Sequence, residues 1–128
     1  MLKQISILLV SLVLSTSAYA SLNLDTTINC TYQKGQFLTK KEASNVSNST
    51  PLKWTFNGLN SKKPIFVSGG DTGRVLPTTI KDGVVIYLPS SGGNSTFAIW
   101  RTGESSWSKQ AKVAGTVYCQ QFIGKCVN

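Results

Sequence analysis

Ser106-Trp107-Ser108-Lys109 has the Ser-x-x-Lys spacing of a serine nucleophile paired with a lysine. The segment reads as strand rather than helix, and the Lys-Thr-Gly partner of that motif is missing. The chain contains no histidine. That removes His-based triads, imidazole zinc sites and the usual general base near neutral pH. Five carboxylates remain, Asp25, Glu42, Asp71, Asp82 and Glu104. None has the spacing of a metal site or a glycosidase pair. Cys30, Cys119 and Cys126 form neither a zinc ribbon nor a Cys-x-x-Cys redox pair. Ser68-Gly69-Gly70-Asp71-Thr72-Gly73 lacks the strand–loop–helix setting and the terminal Lys-Ser/Thr of a phosphate loop. The residue inventory points to binding, with no catalytic residue, no metal and no cofactor expected.

The richest candidate for binding is FAIWRTGESSWSKQ, residues 97–110. A two-residue turn centred on Gly103-Glu104, with glycine first as a type II′ turn requires, sets Trp100 directly opposite Trp107. One face then carries Ala98, Trp100, Trp107 and Lys109. The other carries Phe97, Ile99, Arg101, Ser106, Ser108 and Gln110. A one-layer barrel buries only one of these faces. Either the tryptophan face is core, or Phe97 and Ile99 are core and the two indoles form a solvent-facing shelf beside Lys109. Such a shelf stacks on sugar faces or protein anchors. Tyr87, Ser91, Trp100, Arg101, Trp107 and Lys109 are the binding residues expected from this region.

These residues need a scaffold that survives export. Residues 1–20 have a charged start at Lys3, an apolar run from Ile5 to Leu14 and small residues ending Ala18-Tyr19-Ala20. This is the pattern of a secretory signal, with cleavage before Ser21. The apolar run is too short to span a bilayer comfortably, so no transmembrane segment is expected. Residues 21–128 then form a single periplasmic or secreted domain. Its oxidising surroundings permit a disulfide. Cys30–Cys126 is favoured because it ties the first strand to the C-terminal end, with Cys30–Cys119 as the alternative. An odd cysteine is left over, and a dimer through Cys119 follows as one use for it. Twelve cations against five carboxylates leave +7 after Lys3 departs with the signal. That balance favours anionic partners.

Leu22, Leu24, Ile28, Cys30 and Tyr32 share one parity, the period of a strand with one buried face. Leu52, Trp54 and Phe56 repeat it. Asn57-Gly58 and Asp82-Gly83 are hairpin signals. From Asn57 onward turn signals recur at the spacing of an antiparallel meander or small barrel. Thr39 with Glu42 resembles a capping box, so one short helix or a loop follows there. The expected fold is all-β: a single small antiparallel barrel or meander with at most one short helix, stapled by a disulfide.

Ser90-Ser91-Gly92 upstream of Phe97, followed by Trp100-Arg101-Thr102-Gly103-Glu104-Ser105, resembles the two signature motifs of the periplasmic inhibitors of C-type lysozyme, the MliC/PliC group. The resemblance implies an eight-stranded antiparallel barrel with an early cysteine bridged to a C-terminal one. It also implies that Ser91 corresponds to the family's inserted serine. Thr102 stands where the family has a lysine before glycine, and Arg101 is a substitute shifted by one position. The expected function is an exported non-enzymatic binding module for an anionic envelope polymer or glycan. The alternative is an inhibitor of a C-type lysozyme or other hydrolase, with a secreted protein as partner. No nucleic-acid motif accompanies the charge, so nucleic acid is not expected.

Overall fold

Nine antiparallel strands make one continuous sheet in a computed structural model that describes residues 21–90 and 92–128. They are β1 (Ile28–Thr39), β2 (Ala43–Asn57), β3 (Ile65–Ser68), β4 (Asp71–Arg74), β5 (Leu76–Ile80), β6 (Gly83–Ser90), β7 (Gly93–Trp100), β8 (Glu104–Val113) and β9 (Thr116–Val127). The order across the sheet is β4-β3-β2-β1-β9-β8-β7-β6-β5. The two edge strands, β4 and β5, are chain neighbours joined at buried Val75. The sheet therefore curls into a nearly closed barrel. The expected signal at residues 1–20 and the expected binding residue Ser91 lie outside the described residues.

The alternating segment folds as its pattern requires. Leu22, Leu24, Ile28, Cys30 and Tyr32 are all buried, although β1 itself begins only at Ile28. Cys30 pairs directly with Cys126 across β1 and β9, and the two sulfurs are bonded. Cys119 is the free cysteine. No helix forms at Thr39. The Thr39 hydroxyl does accept the N–H of Glu42 at 3.3 Å, as a helix cap would. The Thr39 N–H, however, donates to the Glu42 carbonyl at 2.8 Å and closes a hairpin between β1 and β2. Local chemistry was neutral between cap and turn, and the partner strand decided it. The sheet also has nine strands where the family resemblance implied eight.

A bulge in β1 between Tyr32 and Lys34 shifts its register against both neighbours. Without it, Lys34, two residues on, would share the inward face of Tyr32. With it, Gly35 faces inward opposite Phe122. A Cβ on Gly35 would collide with the Gln121 carbonyl oxygen and sit 2.6 Å from the Phe122 ring. Beyond this level β1, β2, β8 and β9 run on as a wing, where Leu38, Val113 and Val117 are more than half exposed.

The core is dominated by aromatic rings. Ile86, Phe97, Trp107, Phe122, Gly35 and Val46 form one inward row across six strands. Trp107 stacks on Phe97 at 5.5 Å and on Phe122 at 5.1 Å between centroids, and it meets Trp54 edge-on at 5.2 Å. One row away, the buried Ser105 hydroxyl donates to the Ala98 carbonyl at 2.9 Å. The Tyr32 hydroxyl must therefore be the donor in its 2.6 Å bond to Ser105 Oγ.

Burial pushes the Tyr32 phenol up from 10.0 to about 12, and the Ser105 hydrogen bond opposes this only in part. The folded state thus holds the Tyr32 proton more tightly than the unfolded chain. The stabilisation is complete below pH 10 and is lost as pH rises from 10 through 12, by about 3 kcal/mol in all. Urea unfolding should show this fall, and Tyr32→Phe should remove it relative to wild type. Parallel alkaline curves for the two proteins would contradict the assignment.

Candidate functional site

The tip joining β7 to β8 is a β-turn over Trp100-Arg101-Thr102-Gly103. The Gly103 N–H donates to the Trp100 carbonyl at 2.9 Å, and Gly103 holds a φ of 90°. That left-handed backbone is the reason a glycine is needed there. The turn sets the hairpin register three residues away from the Gly103-Glu104-centred pairing, so Trp107 pairs with Phe97, and Ile99 with Ser105. An odd shift reverses which face of β8 meets which face of β7. Trp107 joins Phe97 and Ile99 in the core at 7% exposure, while Trp100 points out at 37%. Neither expected arrangement holds, since the two indoles are on opposite faces. The physical reason is burial: this register places all three large apolar side chains, Phe97, Ile99 and Trp107, inside.

The remaining expected residues separate in the same way. Tyr87 is outward and 41% exposed, paired with Thr96 on β7. Four residues along an extended strand place it about 13 Å from Trp100. Lys109 is half-buried on the inward-facing side, paired with Ser95 and Gln120. Ser106 pairs with Ala98 and Ile123 on the outward side, so the Ser-x-x-Lys pair projects to opposite faces of β8. Of the six expected binding residues, the structure brings together Trp100 and Arg101.

Around that pair it assembles residues outside the expected binding set. Ser21, Asp82, Thr102 and Glu104 join Trp100 and Arg101 in lining an open depression of about 570 Å³. The backbone beneath is pinned on three sides. The Arg101 N–H donates to the Asp82 carbonyl at 2.8 Å, and the Arg101 carbonyl accepts the Leu22 N–H at 2.7 Å. The Gly103 carbonyl accepts the N–H of Cys126, a disulfide cysteine, at 2.7 Å. Asp82 was legible as a turn residue, with a φ of 62°. Its position beside Arg101 depends on β6 and β7 running side by side, which local sequence does not encode.

Chemically, the depression offers an aromatic face, a guanidinium, two carboxylates and two hydroxyls. Indole faces stack on sugar rings, guanidinium pairs bidentately with carboxylate or phosphate, and carboxylates accept sugar hydroxyls. Among the described residues, no group of three His, Cys, Asp or Glu side chains is placed to hold a metal ion. No helix among them is long and apolar enough to cross a membrane. Compared with known protein families, curated proteins and solved structures, the chain matches none.

Proposed function

We propose that the protein is an exported, non-enzymatic binding module that takes an anionic envelope polymer or glycan at the Trp100–Arg101 depression. The observation that carries this reading is the pairing of a solvent-facing indole with an adjacent exposed arginine on a backbone hydrogen-bonded from three directions. A turn held in this way loses little conformational freedom on binding. The ligand class that uses every group there is a carboxylated or phosphorylated sugar. Its ring lies on Trp100, its anion meets Arg101, and its hydroxyls reach Asp82 and Glu104. The net positive charge raises the encounter rate with such a polymer and opposes encounter with a basic protein.

Titration with a uronic-acid oligosaccharide tests this. Trp100→Ala and Arg101→Ala should each weaken binding about tenfold, and affinity should fall as salt rises. Trp100 is partly exposed, so both variants should fold as wild type does. Binding that is indifferent to salt and to both substitutions would defeat the proposal. Inhibition of a C-type lysozyme, lost in the same two variants, would replace the polymer with a protein partner at the same depression.

A further inference from the structure

The wing ends in two turns that lie side by side. Residues 40–42 join β1 to β2, and residues 114–115 join β8 to β9. Thr39, Lys40 and Lys41 of the first turn and Gly115, Thr116 and Val117 of the second line one depression. The second turn projects into open space, since a Cβ on Gly115 would meet no atom beyond its chain neighbours within 4 Å. The exposed aliphatic side chains of the wing are divided between its two faces. Leu38 pairs with Cys119, and Val117 with Lys112, on the outward side that also carries Ile123. Val113 keeps the parity of Trp107 and belongs to the inward side. The neighbouring strand β7 begins at Gly93, opposite Ala111, and leaves Val113 uncovered.

The second turn is apolar at a conformational cost. Ala114 has a φ of 48° and Gly115 a φ of 79°, the pair of positive values that a type I′ turn requires. Asn, Asp or Gly adopts the first of these readily, and alanine does so only under strain. Lys40, Lys41 and Lys112 surround the tip, against the single carboxylate of Glu42. One row back, the half-buried rings of Phe37 and Tyr118 pair at 5.7 Å between centroids. A globular partner on one face of the wing would leave the aliphatic groups of the other in water. A second copy of the chain would set lysine against lysine. A bilayer that receives the tip covers both faces at once. It also places the lysines among anionic headgroups and the aromatic pair at the interface.

We propose that the wing tip docks on an anionic lipid surface, with Leu38, Val113, Ala114 and Val117 entering the boundary between headgroups and acyl chains. The Trp100 depression lies at the other end of β8. Its Glu104 is the first residue of that strand and Val113 the last, about 30 Å apart along it. The two sites share no residue and stand or fall separately.

Co-sedimentation of the purified protein with vesicles tests this, using phosphatidylglycerol and phosphatidylcholine in equal parts against phosphatidylcholine alone. Binding to the anionic vesicles should saturate and should exceed binding to the neutral ones by about tenfold or more. Leu38→Asp and Val113→Asp, on opposite faces, should each weaken it about tenfold. Lys40→Ala with Lys41→Ala should weaken it about thirtyfold. All four positions are exposed, so the variants should keep the protected Trp107 emission of the folded protein. In Val113→Trp, lipid brominated on its acyl chains should quench the added indole. No binding to the anionic vesicles, equal binding to the neutral ones, or an absence of bromine quenching would overturn the proposal. A loss confined to Leu38→Asp or to Val113→Asp would overturn it as well, and would point to a partner that covers one face.

Discussion

Replacing Cys30 and Cys126 together with alanine, in a Cys119→Ala background, is expected to lower the unfolding free energy by about 4–5 kcal/mol. The bond closes a loop with a sequence separation of 96. In the chain-entropy account, cross-linking residues so far apart removes a large part of the unfolded ensemble. Small domains are marginally stable, by about 5–15 kcal/mol, so the loss is a large fraction of the whole. Denaturant unfolding measures it directly. Cys119→Ala alone, at a half-exposed position on β9, should stay within about 0.5 kcal/mol of wild type. A loss below about 1 kcal/mol in the doubly substituted protein would mean that the unfolded chain is constrained by something else. Because the Cys126 N–H holds the Gly103 carbonyl, the same variant should also loosen the Trp100 turn and weaken ligand binding there.

Trp107→Ala is expected to cost about 3–5 kcal/mol, the range for removing a large aromatic side chain from a core. The indole stacks between Phe97 and Phe122 and contacts Trp54 and Tyr32, so no single neighbour can close the space it leaves. Fluorescence supplies a second readout without perturbing the core as far. In Trp54→Phe, the emission should resolve into a blue-shifted, quencher-protected component from Trp107 and a red-shifted, quenchable one from Trp100. Trp100→Phe with Trp54→Phe should leave only the protected component. Two equally quenchable indoles would contradict the hairpin register.

Much of the architecture is legible before any coordinates. The parity of Leu22 through Tyr32 places Cys30 inward, where a bridge is sheltered, while the choice between Cys126 and Cys119 as its partner is settled by the pairing of β1 with β9. The Asp82-Gly83 signal marks the turn between β5 and β6, where Ile80 pairs with Gly83. At Asn57-Gly58 the signal marks only the end of β2, because the chain bends there and takes a longer connection before Ile65. A dipeptide states that the chain can turn. It does not state how soon the next strand finds its neighbour.

The candidate site was half legible for the same reason. Trp100 and Arg101 are chain neighbours, so any fold that exposes the turn keeps them together. Asp82 and Ser21 reach them only through pairings between distant segments. The clearest division falls at the two tryptophans. By itself the sequence determined an antiparallel β domain, its inward cysteine and a turn near Gly103, because period-two alternation and glycine's access to positive φ are local properties. Only the tertiary structure decided which indole is buried. Shifting the turn by an odd number of residues reverses the faces of an entire strand, and the choice rests on packing Phe97, Ile99 and Trp107 against rings contributed by Tyr32, Trp54, Phe56 and Phe122.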